Sequence, residues 1–211
     1  MLVNDNYNDD QRLGDLIIDG DQGDIVLIGF PYDEGVRRNA GRPGAKFGPD
    51  VFRKFLKRTG TLVNAEYDDL DLRKYLTVSD GGNIDENLIL EEAHRCLEKR
   101  LIDLFSNGKF PFVIGGGNDQ SYPNVSALLH HLDGKQRTIY VINIDAHLDV
   151  RPLKENRAHS GSPFRQLLED QRFNQNQSSK SFFLHLFLIL IEIFFSRSFY
   201  RIFMSRISMF D

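Results

Sequence analysis

Three short apolar runs set the limits on what this chain can fold into: DIVLIGF at 24–30, FPFVI at 110–114 and TIYVINI at 138–144. Each is rich in β-branched and aromatic residues and shows little polar alternation. That is the pattern of a strand buried on both faces, as in a parallel sheet rather than a half-exposed hairpin. Each run stops at a polar or glycine-rich stretch: GFPYDEG, GGGNDQ and NIDAHLDVR in turn. Helical patterns lie between them. Strands alternating with helices predict an α/β fold: a mostly parallel sheet between two helical layers, with ligands gathered at the carboxyl ends of the strands.

The connecting segments are read by the same rules. Residues 32–48 are rich in Gly, Arg and Asn and read as a loop. Gly48-Pro49-Asp50 opens a helix to Leu56, with proline in its first turn. Residues 62–80 hold one strand centred on Leu76-Thr77-Val78, followed by a turn at 79–83, SDGGN. Asp85 is expected to cap a helix running to Phe105, its inner face traced by Leu88, Ile89, Ala93, Cys96, Leu97, Arg100, Leu101 and Leu104, and ended by Ser106-Asn107-Gly108. A further helix covers 122–131. His94, His130 and His131 have no partner pattern and read as surface residues of helices.

The chain has 211 residues, enough for one domain with a sizeable core. Its net charge of −4 gives no basic field for nucleic acid or anionic lipid. A single cysteine, Cys96, cannot form an internal disulfide; it reads as reduced and half-buried, in keeping with a cytoplasmic protein. Residues 1–23 form a polar, acidic arm unlike a signal peptide. Residues 24–170 carry the α/β pattern, and 171–211 depart from it. A Gln/Asn/Ser linker at 171–180 leads into a stretch holding 8 of the 17 phenylalanines, without caps or turn signals. Its apolar run at 182–195 is interrupted by His185 and Glu192 and falls short of the roughly 20 residues of a membrane helix. We read this tail as foreign to the fold, as a translated intron or shifted frame would be, with a hydrophobic anchor as the alternative; no membrane association is expected.

The chemistry lies at the strand ends. In an extended segment alternate side chains share a side, so Asp145, His147 and Asp149 would project together. Two acids on one side repel unless a cation stands between them, and carboxylates with one imidazole suit Mn²⁺. A solvated loop is the alternative for this motif taken alone. Gly115-Gly-Gly-Asn118-Asp119 lacks the spacing of a nucleotide loop. It serves either close backbone packing beside a metal, with Asn118 giving its amide oxygen, or a tight strand-to-helix turn. Arg151 and Arg157 are candidates to clamp a substrate carboxylate, or else are solvated loop residues.

Four segments in this order resemble the ureohydrolase family of arginases, agmatinases and formimidoylglutamases: GFPYDEGVRRNAGR at 29–42 with Gly44-Ala45 and Gly48-Pro49, then 115–119, then 145–149, then HSGSPFR at 159–165. The DEGVRRN and SGSPFR stretches look most like the formimidoylglutamase branch, which hydrolyses N-formimidoyl-L-glutamate to glutamate and formamide in histidine degradation. The resemblance implies a three-layer α/β/α fold and a binuclear Mn²⁺ centre. It carries over Asn118, Asp145, His147 and Asp149 as metal ligands and Asp145 and His159 as catalytic residues. Arg151, Arg157 and Asn39 become substrate-binding residues at the rim. It also implies a homo-oligomer acting on a small amidine or guanidine. Asn118 stands where the family usually has histidine, and Ser160 stands where arginases keep a proton-shuttling histidine. The family's later DxD ligand pair has no counterpart at 171–211, where Asp211 is the only aspartate. The fold is therefore expected to be incomplete towards the C-terminus, and the metal centre impaired.

Overall fold

The computed structural model describes residues 11–60, 63–64, 70–71, 76–135, 139–175 and 180–185, with backbone alone at 63–64, 70, 174–175 and 180–185. Its elements in chain order are β1 (Ile18–Asp19), β2 (Ile25–Phe30), α1 (Glu34–Arg38), α2 (Gly48–Leu56), β3 (Val63–Asn64), β4 (Leu70–Asp71), β5 (Val78–Asn83), α3 (Leu90–Ser106), β6 (Phe110–Gly115), α4 (Ser121–His131), β7 (Tyr140–Asp145), α5 (Pro163–Glu169), α6 (Gln171–Gln175) and β8 (Lys180–His185). The main sheet has the order β1-β5-β2-β6 with every pairing parallel. β7 and β8 form a second parallel pair, and β3 and β4 a short antiparallel one.

β2 organises the layers. Val26, Ile28 and Phe30 point to one face, where they meet Leu90, Ala93, Leu97, Leu101 and Leu104 of α3 and Ala127 of α4. Leu27 points to the other, beside Leu56 and Phe52 of α2 and Ile114 of β6. A period of two with both faces buried makes β2 a central strand between helical layers. The third apolar cluster, Leu129, Ile139, Phe164, Leu167 and Phe173, ties α4 and α5 to the start of β7. The expected α/β/α arrangement is the observed one.

Several local expectations change. Residues 32–48 contain α1 and a 3-10 turn at Ala45–Phe47 rather than a plain loop. The SDGGN cluster is not a turn but most of β5. Its polar groups are satisfied across the sheet: the buried Ser79 hydroxyl accepts Gly23 N–H, and Asp80 receives two bonds from the Arg53 guanidinium at 2.5 and 2.8 Å. α3 begins at Leu90, because Asp85 spends its carboxylate on a local turn, accepting the backbone and side-chain N–H of Asn87. Ile89 is exposed, as is Cys96, which was expected to be half-buried. Arg100 pairs outward with Asp21. The polar linker contains α6, and Lys180–His185 pairs with β7, so the backbone is regular where none was expected. Residues 1–10 of the N-terminal arm and 186–211 of the tail lie outside the described residues. Among the described residues no helix is long and apolar enough to cross a membrane.

β6 is an edge strand in this sheet, and its Phe110 and Phe112 are exposed, as are Tyr140, Ile142 and Ile144 of β7.

The Arg53–Asp80 pair joins α2 to β5, and Arg53 also donates to Asn83 Oδ1 at 2.6 Å. Burial alone would raise the Asp80 pKa, but the hydrogen bonds from Arg53 and Gly82 N–H outweigh it and hold the carboxyl below its ordinary value. Arg53→Ala is expected to cost about 2 kcal/mol in urea unfolding. That difference should be full above the ordinary aspartate value of about 3.9 and should disappear as pH falls through the lowered folded value.

Candidate metal centre

The site begins where β6 meets the end of β2. Gly116 and Gly117 donate their N–H groups to the carbonyls of Phe30 and Tyr32 at 2.8 and 2.7 Å. A Cβ on Gly116 would lie 1.8 Å from the Tyr32 oxygen. The glycines therefore serve close backbone packing, as one sequence reading had it, and deliver Asn118 to the carboxyl end of the sheet. Asn118 starts a 3-10 turn that runs into α4. Its amide nitrogen donates to Asp149 Oδ2 at 2.5 Å and reaches the Ser160 carbonyl at 3.4 Å, while its oxygen accepts from Ser121 Oγ at 2.8 Å.

The acids reach this point by a different route from the one expected. β7 stops at Asp145 and the chain turns, so Asp145, His147 and Asp149 do not alternate along one extended segment. Asp145 Oδ1 accepts His147 N–H at 2.8 Å and lies 3.5 Å from His147 Nδ1. The His147 side chain is 72% exposed and faces solvent. Asp149 sits in the left-handed region at φ 49°. Burial and then repulsion from Asp145 raise the Asp149 carboxyl above its ordinary value, against the opposing pull of Asn118, His147 and Arg151.

Two carboxylates repel across a partly buried space, a state that a divalent ion would relieve. Oxygen donors with one imidazole suit Mn²⁺. Yet among the described residues no three His, Cys, Asp or Glu side chains close around one point. Asn118, moreover, turns its N–H rather than its oxygen towards Asp149. The donor set thus fits one side of a Mn²⁺ site, with Asn118 contributing an oxygen once its amide rotates.

The predicted rim residues divide. Arg151 Nη1 donates to Asn39 Oδ1 at 3.0 Å, and Asn39 Nδ2 donates to Ser160 Oγ at 3.0 Å. These two line a pocket of about 350 Å³ with Arg38, Lys154 and His159. Arg157 does not join them; its guanidinium pairs with exposed Glu155. His159 is buried, with both ring nitrogens taken by backbone. Gly161 N–H donates to Nδ1 at 3.2 Å, so Nε2 carries the proton and donates to the Pro152 carbonyl at 3.0 Å. That arrangement latches the loop from Pro152 to Ser162 and engages both ring nitrogens of the residue expected to be catalytic.

Two polar groups below the site went unrecognised. His94, expected on a helix surface, is largely buried and pairs with Asp119 at 2.8 Å, while its ring stacks on Phe30. The signal was present in the spacing, since position 94 falls four after Leu90 and three before Leu97, on the buried stripe of α3. Arg38 is the other. It donates to Glu34, to both oxygens of Glu91 and to the Ala158 carbonyl, tying α1 and α3 to the latched loop.

Comparison with known proteins places these features. The profile of the arginase family matches residues 23–181. A formimidoylglutamase of Clostridium tetani is 38% identical over 146 residues, covering 68% of this chain and 40% of that protein. One of Aeromonas salmonicida is 40% identical over 146 residues, covering 69% and 42%. Among solved structures, Trypanosoma cruzi formiminoglutamase with Mn²⁺ superposes with a TM-score of 0.73 at 48% identity, covering 82% of this chain and 57% of that one. The chain therefore spans less than half the length of these curated relatives.

Asp149→Asn removes the disfavoured charge and places a residue suited to positive φ at that position. The metal-free variant is expected to melt at or above the parent temperature at neutral pH. The gain should vanish as pH falls through the ordinary aspartate range, where the parent carboxyl is itself neutral. Millimolar Mn²⁺ should raise the melting temperature of the parent chain and not that of the variant.

Proposed function

Because the chain belongs to the arginase family, we propose that it carries part of the active site of a Mn²⁺-dependent hydrolase of linear amidines, with N-formimidoyl-L-glutamate as substrate and glutamate and formamide as products. The observation that carries this reading is the meeting of Asn118, just beyond β6, with Asp149, whose carboxyl is in turn repelled by Asp145 at the end of β7. The names of the curated relatives support the substrate. So does the arginine-bearing pocket beside the acids, whose charge suits a dicarboxylate.

In this reading Asp145, His147, Asp149 and a rotated Asn118 hold the metal. Mn²⁺, when bound, makes water a nucleophile near neutral pH and polarises the amidine. Arg151, held by Asn39, receives a substrate carboxylate, and the His159 latch keeps Arg151 in place through the Arg151 N–H bond to the Gly161 carbonyl at 2.9 Å. Water adds to the amidine carbon, the C–N bond to the glutamate nitrogen breaks, and that nitrogen leaves as the amine. Histidine degradation in the cytoplasm, and a homo-oligomeric state, follow from the same reading.

A second reading is a non-catalytic metal-binding or oligomer-modulating subunit. It is favoured by the lack of a closed three-ligand group among the described residues, and by the absence of a DxD pair anywhere in 171–211. The purified 211-residue chain with Mn²⁺ is expected to release formamide from N-formimidoylglutamate no faster than a metal-free control; robust turnover would overturn the impairment. In calorimetry with the same compound, Arg151→Ala should weaken binding roughly tenfold or more, while Arg157→Ala leaves it unchanged. If Arg151→Ala binds as the parent does, a guanidino substrate such as arginine or agmatine is favoured instead.

A further inference from the structure

Asp119 is an unusual residue to find below a metal centre. It is 1% exposed, and its Oδ2 pairs with His94 Nε2 at 2.8 Å. Its Oδ1 is buried without a hydrogen-bond partner among the described residues. A buried carboxyl oxygen left in this state is costly, and glycine backbone packs closely around it. A Cβ on Gly35 or Gly117 would lie 2.0 or 2.2 Å from Oδ1, so only glycine fits at either position. The carboxylate is thus wedged between α1 and the β6 turn, and steered by a histidine from α3.

From Gly35 the contact continues to the site. The Gly35 carbonyl accepts Ser160 N–H at 3.0 Å, and the Ser160 carbonyl faces the Asn118 amide nitrogen. Asn118 is also joined covalently to Asp119. Both routes end on the side chain that meets Asp149. The far side of His94 is fixed by its stack on Phe30, whose carbonyl holds Gly116.

We propose that His94 and Asp119 form a buried positioning pair that sets the orientation of the Asn118 side chain towards Asp149. This rests on the reading of Asn118 as a metal donor, and it adds that the donor is aimed from beneath by a hydrogen-bonded pair whose histidine stands on α3. Outer partners of this kind typically govern ligand affinity by ten- to a hundredfold.

The test uses the full chain. His94→Phe keeps the ring on Phe30 and removes the N–H; His94→Gln keeps a donor; Asp119→Asn keeps the shape and removes the charge. Two quantities are read: Mn²⁺ affinity, from the electron paramagnetic resonance of free Mn²⁺, and the side-chain amide resonances of Asn118, assigned by their loss in Asn118→Ala. His94→Phe is expected to weaken Mn²⁺ binding ten- to a hundredfold and to shift the Asn118 amide signals towards free-amide values, with His94→Gln restoring both. If His94→Phe does not fold, Asp119→Asn replaces it and should move the same signals. Unchanged Asn118 signals in a folded His94→Phe or Asp119→Asn protein would overturn the pairing role. If the parent chain takes up no Mn²⁺, the metal-site reading falls, and the Asn118 signals alone decide the proposal.

Discussion

Everything at the carboxyl end of the sheet hangs on two backbone hydrogen bonds. Where β2 ends, the Phe30 carbonyl would otherwise keep only the Tyr32 N–H and the Tyr32 carbonyl would need a new partner, and buried carbonyls seek partners. Gly116 and Gly117 supply the N–H groups; a Cβ on Gly116 would strike the Tyr32 carbonyl itself, and one on Gly117 the Asp119 carboxyl. That junction fixes where β6 stops and where α4 starts, and so where Asn118 stands relative to Asp149. The apolar burial of β2 on both faces keeps the junction from shifting, because a slip by one residue would put Leu27 into the α3 layer.

Charge then governs how the rest is arranged. Arg38, Arg53 and Arg172 each spend their guanidinium on carboxylates and so act as struts between elements. Arg151 does not; it rests on the neutral Asn39 amide. At Asp149, burial and repulsion from Asp145 outweigh the support of Asn118, His147 and Arg151, which is why its carboxyl is disfavoured there. Satisfied charge marks the scaffold, and incompletely satisfied charge marks the candidate site.

The layered fold was legible because buried parallel strands leave uniform apolar runs, and α2, α4, β2 and β6 fell within a residue or two of their expected ends. β5 was not legible, since SDGGN owes its extended form to Arg53 and Gly23, partners remote in sequence. The location of Asp145 and Asp149 beside Asn118 could be anticipated from motif order, but the reason given for it could not hold: the chain turns after Asp145 and abandons the period of two. Arg151 and Arg157 were equivalent on paper and were separated by the short bridge between Lys154 and Arg157, which directs the second arginine to Glu155. The burial of His94 was legible from its spacing on α3, but its partner, Asp119, comes from a different element 25 positions away and was not.

The bare strands have a consequence of another kind. Among the described residues β6 has a free edge, and the side chains of Phe110, Phe112, Ile142 and Ile144 are exposed although their strands have the composition of an interior. Surfaces of this sort associate with one another. Self-association removes molecules in encounters of two, so its rate grows with the square of concentration. For a chain bearing these faces, persistence in solution is a property of how much of it is present, and dilution should protect it as effectively as any gain in folding stability.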